Sequence, residues 1–251
     1  MTGLRSRFDP EVSFAIERVA RRAWPAEEVE EVEGWWLRRT EGVDRRRSNS
    51  LLPPVDSGRA VRTVELALAT AEELGFDGVV QVSPAEVHLR LDEALEDRGM
   101  TFGGRTFVLA GAIACGRRVE GVRLGALDGA WVEAWEAVGG GDGARATAEL
   151  VLSQLDGRAR FAMVDTPDGA PVAVGIGMVD EGWLGVFSLT VASAARRQGI
   201  ATKVMDALEH WGAEAGARGV YLQVEAENEA ALTLYARRRL HVAHSYHYRS
   251  V

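Results

Sequence analysis

The chain has 251 residues, 47% of them hydrophobic and 26% charged, with a formal net charge of −8. Those values fit one large or two small folded domains and not a disordered chain. The acidic balance, with Lys203 the only lysine, argues against nucleic acid as a partner, because phosphate binding wants a basic face.

An acidic chain suits a cationic small substrate such as an amine. No stretch approaches the ~20 apolar residues of a membrane span. Residues 1–9 lack the apolar run of a leader, so the expected setting is cytoplasmic, without a membrane partner. Cys115 is the only cysteine, which excludes an intrachain disulfide and a cysteine-based zinc site. It reads as a small hydrophobe at a strand end.

In chain order, the pattern predicts a helix over 10–22 that leads through Trp24-Pro25 to a strand over 34–39. A strand over 45–52 and a Pro/Gly loop over 53–58 come next. The helix over 61–74 turns Val61, Val64, Leu68 and Ala71 inward. A strand (78–82), a helix (86–97) and a strand (106–110) complete the first half. The second half starts with a strand over 119–124. Trp131, Trp135 and Val138 follow at helical spacing, and the glycines of 139–143 break that helix. A helix over 144–155 ends at Asp156-Gly157, and Thr166-Pro167-Asp168-Gly169 joins strands over 159–165 and 171–179. A strand over 183–191 runs into a helix over 199–215, whose stripe is Val204, Leu208, Trp211 and Ala215. A strand (220–224), a helix (229–238) and a strand (242–249) close the chain. The fold class is α/β, an α+β mixed sheet with helices on both faces.

The first half reads as a worn copy of the second. Residues 91–100 match 231–240 in apolar pattern, and 78–82 match 219–224 with one residue of slippage. A tandem duplication accounts for this, as does the pattern any two βαβ units share. A boundary within 112–118 follows, giving domains 1–115 and 116–251. The halves are expected to share strands across their junction.

Arg196-Arg197-Gln198-Gly199-Ile200-Ala201 stands between a strand and a helix. Free N–H groups at a helix start, backed by the dipole, bind anionic oxygens. Gly199 keeps a Cβ out of the way, Arg196 and Arg197 add charge-assisted contacts, and Thr202 offers a hydroxyl. A plain exposed turn has the same form. A Walker loop is excluded because no glycine precedes Lys203, and no Gly-x-Gly-x-x-Gly opens a helix. Farther on, Val224-Glu225-Ala226-Glu227-Asn228-Glu229-Ala230-Ala231-Leu232-Thr233-Leu234-Tyr235 follows a strand.

The first run resembles Gln/Arg-x-x-Gly-x-Gly/Ala of the GNAT superfamily of N-acetyltransferases, and the second resembles that family's Val-x-x-x-Asn-x-x-Ala-x-x-Leu-Tyr. The resemblance covers 119–251. It implies acetyl-CoA as co-substrate, held by Leu189, Thr190, Val191, Arg196, Arg197, Gln198, Gly199, Ile200, Ala201, Thr202, Asn228 and Tyr235. Asn228 is implied to meet the pantetheine arm, and it also reads as a helix N-cap. Tyr235 is implied as general acid to the leaving thiolate. Glu225 and Glu227 are candidate bases, with Asp180 and Glu181 behind them. The front half has Leu95 where Tyr235 sits and no matching phosphate run, so it is expected not to bind acetyl-CoA. Arg239-Leu240 replaces the family's Gly-Phe. Arg239 in a left-handed turn would cost about 1 kcal/mol, which predicts a different turn there.

The expected reaction is acetyl transfer to the amine of a small molecule or amino acid, with no metal. The alternative is a non-catalytic acyl-CoA-binding sensor. Monomer and homodimer both stay open. The His241, His244 and His247 run points to mixed strand faces, and Arg45-Arg46-Arg47 reads as solvated charge. Tyr246 and Tyr248 share one face, as pocket lining or as packing.

Overall fold

The computed structural model describes residues 7–114, 118–141, 143–155 and 157–251. The readings of Cys115, of residues 1–6 and of the breakers Asp142 and Asp156 lie outside the described residues. In chain order the elements are α1 (Pro10–Ala23), β1 (Glu28–Val32), β2 (Trp35–Arg39), β3 (Ser50–Leu52), α2 (Ser57–Leu74), β4 (Val80–Val82), α3 (Leu89–Asp97) and β5 (Thr101–Ala112). Then come β6 (Arg123–Gly125), α4 (Gly129–Val138), α5 (Ala144–Leu150), β7 (Ala159–Asp165), β8 (Pro171–Asp180) and β9 (Trp183–Val191). The last are α6 (Ile200–Glu214), β10 (Gly219–Glu225), α7 (Glu229–Arg237) and β11 (His241–Ser250). Among the described residues no helix is long and apolar enough to cross a membrane.

The chain forms two compact units, one of Met1–Leu109 with Gln223–Val251 and one of Ala110–Leu222. The sequence reading puts a single boundary at 115/116. The units divide at 109/110 and again at 222/223, because the last helix and strand pack with the first hundred residues.

In the first unit the strands lie in the order β1-β2-β3-β4-β11-β5. Strand β11 pairs antiparallel with β4, Tyr248 opposite Gln81. Alternation sends its side chains to opposite faces. His247 and Arg249 meet Asp92 of α3, each at 2.7 Å, while His244 meets Glu17 of α1 at 2.7 Å on the other face. The hydrophobic core lies on the α2/α3 face, where Trp35, Leu37, Leu51, Val80 and Val82 pack under Ala60, Val64, Ala67, Leu91 and Leu95.

Two expectations fail here for local reasons. Strand β1, Glu-Val-Glu-Glu-Val, escaped the pattern because its exposed edge position tolerates alternating charge. It pairs with β2 across Glu33-Gly34, both at positive φ, a hairpin turn that matches strand twist. The strand expected over 45–52 shrinks to β3, because residues 45–49 turn back on themselves with Asn49 donating to the Val43 and Arg45 carbonyls.

In the second unit the order is β10-β9-β8-β7-β6. Helix α6 lies tight against β8 because glycines stand beneath it. A Cβ on Gly175 would meet Val204, and one on Gly177 would meet Leu208, each at 3.0 Å. Of the expected stripe, Val204 and Leu208 are fully buried, Trp211 is half-buried and Ala215 is exposed.

Candidate active site

The second unit carries Leu189–Val191 and the Arg196–Thr202 run. Strand β9 pairs antiparallel with β8, and the register shifts between Val174 and Ile176, so Ser188 and Leu189 bulge out with Ser188 at φ 49. On its other side β9 runs parallel to β10 from Gly219↔Trp183 to Leu222↔Val186, and the ladder ends there. Phe187 to Val191 therefore continue beyond that ladder.

After Val191 a short 3-10 turn, Ser193–Ala195, leads to Arg196, whose Nε donates to the Val191 carbonyl at 3.2 Å. Arg197 sits at φ 64 and Gly199 at φ 79. Gly199 caps α6 with no side-chain acceptor, and the first helical bond runs from the Lys203 N–H to the Gly199 carbonyl at 3.0 Å. The earlier N–H groups of α6 thus have no intrahelical acceptor. A Cβ on Gly199 would meet nothing within 4 Å. The left-handed backbone, rather than lack of room, is what asks for glycine here. Arg196, Arg197, Gln198 and Gly199 are exposed, and Ile200, Ala201 and Thr202 are half-buried.

Asp180 and Glu181 sit at the turn before β9, with Glu181 at φ 45. Eight residues of strand separate Glu181 from Leu189, about 26 Å at ~3.3 Å per residue. That distance removes both from the list of bases beside Leu189. A cleft of 690 Å³ opens at this far end, between Ala112, Glu181, Trp183 and Arg218, away from the α6 start.

The first unit carries the other predicted residues. Glu225 and Glu227 are exposed. Asn228 is exposed and caps α7, its Oδ1 accepting the Ala231 N–H at 3.1 Å, so the capping role is real. Tyr235 is 7% exposed on α7. Burial pushes its hydroxyl up to about 12, with Arg238 pulling the other way, so it stays protonated across the neutral range. Arg239 adopts φ 61, and the Leu240 N–H closes onto the Tyr235 carbonyl at 3.1 Å. The family's turn is therefore kept with an arginine in it. Gly99 at φ 78 and the Met100 bond to Leu95, also 3.1 Å, end α3 the same way.

The expectation of solvated charge fails at Arg47. Arg47 is half-buried and donates to Gln223 Oε1, which also accepts the Tyr246 hydroxyl at 3.0 Å. The run Arg45-Arg46-Arg47 gave no sign of this, because the partner lies 176 positions away. Tyr246 and Tyr248 pack edge to face at 5.6 Å. Among the described residues no group of three or more His, Cys, Asp or Glu is placed to hold a metal ion.

The family described as "Probable histone acetyltransferase Rv0428c C-terminal" matches residues 14–251. The chain is 26% identical over 243 residues to an uncharacterized N-acetyltransferase, YobR, of Bacillus subtilis (strain 168), covering 93% of this chain and 96% of that one. Its fold is similar to a GCN5-related N-acetyltransferase from Kribbella flavida, with TM-score 0.65 and 17% identity over 96% of this chain and 95% of the other. It is also similar to a tandem GNAT protein from the clavulanic acid biosynthesis pathway, with TM-score 0.58 and 10% identity over 80% and 74%. The architecture is mixed α/β of the GNAT type, and the chain belongs to the Rv0428c C-terminal acetyltransferase family, which makes it a GNAT-type acyltransferase.

Proposed function

We propose that the chain transfers acetyl from acetyl-CoA to the amine of a small molecule or amino acid, by direct attack on the thioester. The observation that carries this reading is the start of α6, where a left-handed Gly199 leaves the helix N–H groups uncapped. Such a start suits a pyrophosphate, and Arg196 and Arg197 add charge beside it. The β9 bulge at Ser188 and the end of the ladder at Leu222↔Val186 support a role for the main chain of Leu189, Thr190 and Val191 in holding the pantetheine arm. Donors in that segment would polarise the acetyl carbonyl.

Acetyl-CoA supplies the activated acyl group and a thiol leaving group. Glu225 takes the proton the amine must lose. Tyr235 faces a thiolate of pKa ~8.5 with a hydroxyl near 12, so full transfer runs uphill by roughly 5 kcal/mol. Its part is to donate a hydrogen bond that stabilises the departing sulfur. The roles of Asn228 and Tyr235 rest on the family resemblance. We also read the chain as a tandem pair whose first half has lost the cofactor site. Its α2 is capped by Asp56, whose carboxylate accepts the Arg59 N–H.

A panel of amines and amino acids with thiol-release detection tests the reaction, and mass spectrometry of the purified protein tests for bound CoA. Tyr235→Phe should lower kcat about 10- to 100-fold with little change in the KM for acetyl-CoA. Unchanged kcat at saturating acceptor would remove Tyr235 from the chemistry.

A further inference from the structure

The sheet of the first unit has two unlike faces. Opposite the apolar face, register sets Arg38 beside Ser50 and Gln81 beside Tyr248. Arg38 is only 4% exposed, yet its hydrogen bonds all go to neutral oxygens. They are Ser50 Oγ at 2.7 Å, Gln81 Oε1 at 3.1 Å and the Ser50 carbonyl at 3.5 Å. Its Nη1 donates to nothing among the described residues. Burial pushes its guanidinium down to about 10.

More cation gathers on the same face. Arg21 lies 4.3 Å over the Trp36 ring, with its Nε buried and without a partner among the described residues. Arg47 holds Gln223, and Arg46 lies 5.6 Å over the ring of Tyr248. The carboxylate of Glu17 is nearby, but His244 binds it at 2.7 Å. A buried guanidinium without a hydrogen-bonded carboxylate is costly, and an anion that reached it would offset that cost. The guanidinium fork matches a carboxylate in two parallel bonds. Gln223 and Glu225 stand two apart on β10 and point the same way, which puts the base assigned above on this side of the strand.

We propose that this polar face of the first unit binds the carboxylate of the acceptor through Arg38 and Arg47, so the substrate class is an amino acid or another carboxylate-bearing amine. The proposal rests on the acetyltransferase reading. It separates this chain from an enzyme for lysine-rich tails, since clustered arginines repel such a segment.

The test uses the full chain, saturating acetyl-CoA and three matched acceptors: an amino acid, its carboxamide and its decarboxylated amine. A lysine-rich peptide serves as a fourth. The amino acid should lead in kcat/KM by about 10- to 100-fold, the value of a charge-assisted pair. In Arg38→Gln and Arg47→Gln that ratio should fall towards one through the acceptor KM, with Arg38→Lys recovering part of it. Arg47 is half-buried, so its variant serves if Arg38→Gln does not fold. A wild-type ratio near one, preference for the peptide, or a rise confined to the acetyl-CoA KM would each overturn the proposal alone. No turnover with any amine would overturn the acetyltransferase reading instead. Equilibrium binding of the same amino acid and amide to wild type and Arg47→Gln then still decides the site, with equal affinities refuting it.

Discussion

Helices α2 and α6 are of similar length, 18 and 15 residues, and begin in opposite ways. Asp56 closes the start of α2, its carboxylate accepting the Arg59 N–H at 2.9 Å. Gly199 opens the start of α6, bringing a left-handed turn and no acceptor. The two starts carry the same backbone donors and the same dipole. One carboxylate decides whether those donors are spent on the fold or kept for an anion. In the first unit α2 satisfies its start from within, and polar side chains lie buried on the sheet. In the second, α6 leaves its start without a side-chain cap, while Asp128 caps α4.

The largest expected effect comes from the buried side of that contrast. His88 is fully buried, and neither ring nitrogen has a partner among the described residues. Burial depresses its pKa from 6.5 to about 4. The unfolded chain thus binds the extra proton first, so this contribution is complete above pH 6.5 and is lost as pH falls to about 4. Urea unfolding should show about 3 kcal/mol of that loss, and His88→Leu should flatten it. Superimposable profiles would mean that water reaches this site.

On the open side, Ala201→Asp puts a carboxylate into the first turn of α6, one position inside the helix from Ile200 and beside its open N–H groups. Helix stability should hold or rise, while affinity for acetyl-CoA falls about 100-fold from charge repulsion. Calorimetric titration reads the affinity and thermal melting reads the fold. Unchanged affinity would break the contrast between the two starts.

Arg239→Gly tests the end of α7. Glycine relieves the left-handed backbone at φ 61 and should stabilise the protein by about 1 kcal/mol. No gain in chemical denaturation would mean that the Arg239 side chain offsets its own strain. The smallest effect is expected for Asp56→Ala, which should lower the melting temperature slightly and leave the acetyl-CoA KM unchanged. A new acetyl-CoA site appearing in that variant would show that the first half had kept the rest of a cradle.

Much of the local structure was legible in the sequence. Strands β7 and β9 match the expected bounds, and α6 and α7 fall within one residue of theirs, because turn chemistry and apolar period agree there. The Arg196–Ala201 run was legible for the same reason, being contiguous. The acidic β1 was not, since its edge position suspends the alternation rule. The polar face was not legible either. Arg38, Gln81, Gln223 and Tyr248 come from four strands, and nothing local distinguishes Arg38, which is buried, from Arg39, which is half-buried and ion-paired with Glu41 at 3.4 Å.

The sequence by itself determined most of the helices and strands, the Asn228 cap and the contiguous Arg196–Ala201 run, because each depends on residues within a few positions of one another. Only the tertiary structure decided that Gln223–Val251 joins the first unit. Strand pairing is a contest among distant segments. Here β11 won its place beside β4 through backbone bonds and through Asp92 holding both His247 and Arg249. The same placement built the face where Arg38 lies buried among neutral oxygens, a feature that exists only once those strands are side by side.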